Sequence, residues 1–197
     1  MIQNKDDLRF YLSEDKRVNI NAYRGGGKIA YIKNRLGNTD GYRVYRYLRV
    51  LRYYEYWLNT TKNSSNLFSK ILHNVMTNYY RLKLSRSSAK YNINICRPNT
   101  IGYGFRATHI NGGNIINCES MGNYCVVNSE VVVGVKTGVE QAPVIGDRVE
   151  LSTGCKIIGN VVIGDDVIVA PNSVVVKDVE QGSVVSGVPA KFLKTKR

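Results

Sequence analysis

Histidine is almost absent from this chain: His73 and His109 are the only two in 197 residues. That scarcity excludes a metal held by three histidines, and the four cysteines do not make up the shortfall. Cys96, Cys118, Cys125 and Cys155 form no CxxC pair and no metal-ligand spacing, so no metal is expected. Cys125 and Cys155 recur where small buried residues recur, which points to packing and not to redox chemistry. No run of eighteen apolar residues occurs, which excludes a membrane-spanning helix. The opening "MIQNKDDLRF" is charged and lacks the apolar block of a signal peptide. The expected location is therefore the cytoplasm, including the inner face of the membrane. In that compartment the sequons at Asn59 and Asn63 carry no glycan.

Acid is also scarce, and unevenly so. Residues 1–40 hold eight basic and five acidic side chains, residues 41–90 ten and one, residues 91–197 ten and nine. The net charge of +13 thus belongs mainly to one segment. Residues 41–58, "GYRVYRYLRVLRYYEYWL", place Val44, Tyr47, Leu48, Leu51, Tyr54 and Leu58 at helical spacing. Arg43, Arg46, Arg49 and Arg52 step around the opposite arc. A second helix is expected at about 66–84, on Leu67, Phe68, Ile71, Leu72, Val75, Met76, Tyr79 and Tyr80, after the polar turn "NTTKNSS". His73 flanks it as a surface or packed ring. The basic, aromatic face of 41–90 reads first as a solvated face. Peripheral contact with anionic lipid or a polyanionic glycan carrier comes next, and RNA last, since no RNA-recognition motif accompanies the charge. No nucleic-acid partner is expected. "RGGGK" at 24–28 lacks the spacing and the Ser/Thr of a phosphate-binding loop and reads as a turn.

From Ile115 the period becomes six. Positions 115, 121, 127, 133, 139, 145, 151, 157, 163, 169 and 175 read Ile, Met, Val, Val, Val, Ile, Leu, Ile, Ile, Val, Val. In a chain that is 43% apolar, chance gives such a run about once in ten thousand, relaxed about sixfold by the choice of frame. Small residues often follow the lead, as at Gly122, Gly134, Gly146, Ser152, Gly164 and Ala170. Six residues make a short strand and a corner; three such units close a triangular coil, and stacked coils bury one core.

The stretch "IGDRVELSTGCKIIGNVVIGDDVIVAPNSVVVKDVEQGSVVSGVPAKFLK" resembles the carboxy-terminal half of the serine acetyltransferases, and "SGVPAKFLK" resembles that family's ending. The wider resemblance, over about residues 94–194, is to the hexapeptide-repeat acyltransferases. It implies an α+β chain: a helical segment, 1–90, then a left-handed parallel β-helix, 91–197. It also implies acetyl-CoA as co-substrate, a His general base and a homotrimer with active sites between neighbours. "IGYGFRATHINGGNIIN" aligns with the family's catalytic segment, so His109 falls on the base. From Ile101 to Ile115 is fourteen residues, two more than two hexads, so the repeat bulges at His109. A satisfied core histidine is the competing reading. An acceptor hydroxyl attacks a thioester only as a base near neutral pKa takes its proton. The family's other positions put acetyl-CoA against Gly134, Ser152, Thr153, Ala170, Pro171 and Lys191, with Gly134 a candidate oxyanion donor.

Three departures shape the expected acceptor. The carboxylate that orients the family's catalytic ring falls on Asn94, which can fix a tautomer but supplies no charge. The acidic residue before the base is Thr108, and the Arg–His pair that grips serine's carboxylate aligns with Gln141 and Ala142. These losses point to a neutral acceptor: a sugar or glycan hydroxyl, free or lipid-linked, in surface polysaccharide assembly. Serine O-acetylation and a non-catalytic β-helix scaffold are the alternatives.

Overall fold

The computed structural model describes residues 1–21, 27–60, 66–138 and 140–196. It falls into two compact units, Met1–Tyr91 and Asn92–Arg197. Residues 24–26 of the expected turn at 24–28 and most of the turn at 59–65 lie outside the described residues, as does Val139 of the hexad series; Gly27 and Lys28 open a helix instead.

Among the described residues the first unit contains four α-helices: α1 Lys5–Lys16, α2 Gly27–Leu36, α3 Asp40–Thr60 and α4 Leu67–Tyr91, with a turn of π-helix, Arg17–Asn21, after α1. Asn4 caps α1 by accepting hydrogen bonds from the N–H groups of Asp6 and Asp7 at 2.9 and 2.8 Å. The first two helices were not read from the sequence, and α4 runs seven residues past its expected end. On α3, Val44, Tyr47, Leu48 and Leu51 are buried as their spacing requires.

Arg52 departs from the expected polar arc and is wholly buried. Its Nε donates to Asp15 Oδ2 at 2.9 Å and its Nη1 to Glu55 Oε2 at 3.0 Å, both carboxylates being buried as well. The guanidinium also lies 4.9 Å from the centroid of the Tyr11 ring. The two carboxylates hold its pKa above the ordinary arginine value against the opposing effect of burial. The α4 stripe departs too. Leu67, Phe68, Ile71, Leu72, Val75, Tyr79 and Leu82 are exposed, Phe68 at 78%. The opposite side packs on α3: Tyr80 stacks on Tyr53 with centroids 5.3 Å apart, and His73 meets Trp57 edge-on at 5.1 Å. No helix among the described residues is long and apolar enough to cross a membrane.

The second unit is a three-sided parallel β-helix of two- and three-residue strands. One sheet joins β1 Ile93–Ile95, β3 Asn114–Ile116, β6 Val132–Gly134, β9 Lys156–Ile158 and β12 Val174–Val175. A second joins β4 Ser120–Met121, β7 Val144–Ile145 and β10 Val162–Ile163. The third joins β2 Arg106–Ala107, β5 Val126–Val127, β8 Glu150–Leu151, β11 Ile168–Val169, β13 Ser183–Gly187 and, antiparallel at the end, β14 Ala190–Thr195. The expected α+β architecture of helices followed by a hexapeptide β-helix is observed.

The hexad leads Met121, Val127, Val133, Ile145, Leu151, Ile157, Ile163, Val169 and Val175 all point inward and are buried. Ile115 does not: it is 49% exposed, and Ile116 takes the inward position. The phase slips because Ala107 and Ile116, both buried leads, are nine residues apart instead of six. Between Val133 and Ile145 the chain spends twelve residues, a whole extra hexad, which keeps the phase. Val139 belongs to that insertion.

Replacing Arg52 with alanine removes the guanidinium that the buried Asp15 and Glu55 share. Such a loss typically costs about 3–5 kcal/mol. Urea unfolding followed by fluorescence of Trp57, the single tryptophan, should show a lower midpoint at pH 7.

Candidate functional site

The corner that follows the third sheet builds the site. In the later coils it takes three residues: 128–130, 152–154 and 170–172, each between a buried lead and the next buried inward residue. In the first coil it takes six, 108–113. Thr108 continues the ladder, its N–H donating to Val127 O at 3.0 Å. His109 then turns left-handed (φ 53°, ψ 46°) and a short 3₁₀ turn, Ile110–Gly112, follows. That turn drives Ile110 into the core and leaves His109 exposed. A left-handed backbone at a non-glycine residue costs about 1 kcal/mol or more. Among the described residues no hydrogen bond reaches either ring nitrogen of His109.

The parallel register extends this corner into a ridge. Ala107, Val127, Leu151, Val169 and Val185 pair in sequence. The next position along each strand gives Thr108, Asn128, Ser152, Ala170 and Ser186, and Ser186 pairs with Lys191 of β14. One position further stand His109, Ser129, Thr153 and Pro171. With about 4.8 Å between neighbouring strands, Thr153 lies roughly 10 Å and Pro171 roughly 14 Å along the ridge from the His109 corner. Five of the six expected cofactor positions, all but Gly134, therefore share one edge with His109.

Gly134 and Asn94 lie off that edge, on the outer face of the first sheet. Asn94 pairs in register with Ile115, then Val132, Lys156 and Val174. It is exposed and makes no hydrogen bond to His109. Gly134 faces open space: a Cβ placed there would meet no atom within 4 Å. Thr108 is half-buried, with its hydroxyl donating to the side-chain oxygen of Asn128. Gln141 is exposed and Ala142 buried, both in the insertion before β7.

Sequence reasoning missed Asn128; the corner itself holds three extra residues, and the five-residue step from Ile116 to Met121 returns one, which leaves the net two that the spacing gives. The signal was present in the nine-residue step from Ala107 to Ile116. The cysteines play no part: burial pushes the Cys125 and Cys155 thiols up to about 12. Thiols so shifted stay protonated at neutral pH and act as small apolar residues.

Three parallel sheets, hexad leads turned inward and one widened corner carrying a histidine define a hexapeptide-repeat β-helix. The bacterial transferase hexapeptide family, a pattern of six repeats, matches residues 142–177. Serine acetyltransferase of Buchnera aphidicola subsp. Schizaphis graminum is 30% identical over 119 residues, covering 56% of this chain and 43% of that protein. Serine acetyltransferase 2 of Arabidopsis thaliana is 36% identical over 113 residues, covering 56% and 35%. The fold of serine acetyltransferase from Brucella abortus strain S19 superposes with a TM-score of 0.72 at 20% identity, over 97% of this chain and 70% of that one. Residues 142–177 are thus a hexapeptide-repeat segment, and the chain resembles the left-handed β-helix, hexapeptide-repeat acyltransferases in sequence and in fold. It spans less than half the length of the two curated relatives named.

These relatives overturn the expected sugar acceptor in polysaccharide assembly. The error has a physical source. Thr108, Gln141 and Ala142 remove charges that would hold a zwitterion, but no residue was identified that would recognise a sugar. A lost contact lowers affinity; it does not name a different substrate.

The corners differ in their tolerance of a methyl group. A Cβ at Gly122 would meet the carbonyl carbon of Gly146 at 2.6 Å and the nitrogen of Asp147 at 2.7 Å, both backbone atoms. Gly122→Ala should lower stability by about 1–3 kcal/mol, whereas Gly134→Ala should not lower it. Thermal unfolding of the two variants beside the parent protein checks the contrast.

Proposed function

We propose that this chain is an acetyl-CoA-dependent serine O-acetyltransferase with His109 as general base. One observation carries the reading: the widened corner 108–113 holds an exposed imidazole, without a hydrogen-bond partner among the described residues, at the head of a ridge of small residues. The names of the sequence relatives supply the acceptor.

In the proposed reaction the serine hydroxyl attacks the thioester carbonyl of acetyl-CoA while His109 takes its proton. A new ester C–O bond forms, the thioester C–S bond breaks, and the imidazolium returns the proton to the departing thiolate. The products are O-acetylserine and coenzyme A. Ser129, Ser152 and Ala170 keep the ridge low enough for a long, thin pantetheine arm. Lys191, at the far end, offers a positive charge to phosphate. Gly134, with open space beside it, suits close approach of a ligand or of a neighbouring subunit. A homotrimer is part of this reading, because Asn94 and Gly134 lie off the ridge within one chain. A neighbour would bring a first-sheet face to another copy's His109. A cytoplasmic location belongs with soluble substrates.

Two expectations test it. His109→Ala should lower acetyl transfer by about a hundred- to ten-thousand-fold, read as thiol release from acetyl-CoA with serine, while acetyl-CoA binding and folding persist. Activity within threefold of the parent would remove His109 from the chemistry. A parent protein that neither binds acetyl-CoA nor releases thiol would leave only a scaffold.

The missing charges imply weak capture of serine, since each lost charged hydrogen bond typically forfeits about 1.5–3 kcal/mol. Thr108→Asp should therefore lower the KM for serine by about tenfold or more, with the KM for acetyl-CoA unchanged. An unchanged serine KM would show that the ammonium group is held elsewhere.

A further inference from the structure

Every carboxylate of the helical unit is already committed. Its six acidic residues are Asp6, Asp7, Glu14, Asp15, Asp40 and Glu55. Asp6 pairs with Arg9, Glu14 with Arg17 and Asp40 with Arg43, while Asp15 and Glu55 share Arg52. Asp7 accepts the N–H of Gln3. Helix α4 contributes no acid at all.

Against that background, α3 and α4 enclose a cleft of about 120 Å³ lined by Arg46, Arg49, Val50, Tyr53, Tyr80 and Lys83. Among the described residues the three cations have neutral partners. Arg46 Nη1 donates to the Tyr42 hydroxyl at 3.3 Å, and the Arg49 guanidinium sits 5.9 Å from the Tyr45 ring. The Lys83 ammonium donates to the Tyr79 hydroxyl at 3.3 Å and lies 5.6 Å from the Tyr80 ring. Cation–π contacts and phenol hydrogen bonds orient a cation without neutralising it. The near-parallel Tyr53–Tyr80 stack, 11° between planes, ties α4 to α3 and so fixes the spacing of the charges. Three like charges brought to one cleft repel one another, a cost that a bound anion would relieve.

We propose that this cleft binds a phosphate group. Two guanidiniums and an ammonium supply the forked and point-charge donors that a phosphate dianion accepts. The size is decisive within that class. Pockets for drug-sized ligands run to roughly 300–1,000 Å³, so this cleft holds the phosphate itself and leaves the rest of its carrier outside. The phosphate comes either from a soluble phosphate compound or from a phospholipid headgroup. The cleft lies within the helical unit, and the proposal does not depend on acetyl transfer.

Calorimetric titration of the full chain with inorganic phosphate, in chloride buffer without acetyl-CoA, tests the site. A parallel sedimentation assay uses phosphatidylcholine vesicles with and without phosphatidylglycerol. The double variant Arg49→Gln, Lys83→Gln changes only exposed side chains, and its fold is checked by circular dichroism. Phosphate binding that falls at least about tenfold in the variant, and is retained by Lys83→Arg, supports the proposal with a soluble source. Vesicle binding that needs both phosphatidylglycerol and the two cations supports it with a lipid source. Binding equal in parent and variant, or none to either probe, overturns it.

Discussion

Parallel pairing at a nearly fixed sequence separation governs the β-helix. A two-residue strand such as Val162–Ile163 has too few hydrogen bonds to persist alone. It exists because Val144–Ile145, eighteen residues earlier, occupies the adjacent rung. Each coil supplies the next with a template, and inward residues stack into continuous columns. The turns obey the same rule. Asn123 Oδ1 accepts the N–H of Tyr103 at 3.2 Å, Asp147 Oδ1 that of Asn123 at 2.7 Å, and Asp165 Oδ1 that of Asp147 at 2.8 Å. One side chain per coil thus satisfies a backbone donor of the coil before it.

Such a lattice admits irregularity only at its corners, and its two insertions behave differently. The insertion before Val144 adds a full hexad and disturbs no column. The corner at 108–113 adds half a hexad and exchanges Ile115 for Ile116 on the core face. The second is the one that carries the histidine. A departure too small to make a lobe and too large to be absorbed pushes a polar ring out of an apolar wall.

What the sequence disclosed follows from what repeats. The hexad leads recur often enough to reveal the coils, and the fourteen residues from Ile101 to Ile115 reveal the irregular corner at His109. Arg52 was misjudged because its partner Asp15 stands 37 residues away, beyond any local periodicity. The α4 stripe was read correctly as a stripe, but periodicity says nothing about which side meets a neighbour; Tyr80 and His73 settle that by stacking on Tyr53 and Trp57. Helices α1 and α2 were invisible as separate elements because they bury little: α1 buries only Leu8 and Asp15 along its length. The acceptor was misread for a different reason, since the charges missing at Thr108, Gln141 and Ala142 were taken as evidence for a ligand.

The position of the widened corner within the ladder has a kinetic side. Strands β1 and β2 stand at the ends of their sheets, each with one paired neighbour, while β5, β8 and β11 have two. In a linear array of nearest-neighbour contacts, end units open at lower free energy than interior ones. The coil bearing His109 contains two such end strands, β1 and β2. Assembly also proceeds in small steps: each added rung closes only some eighteen residues of chain, and such short loops form quickly. Once one pair of coils exists, the remainder can zip along the axis.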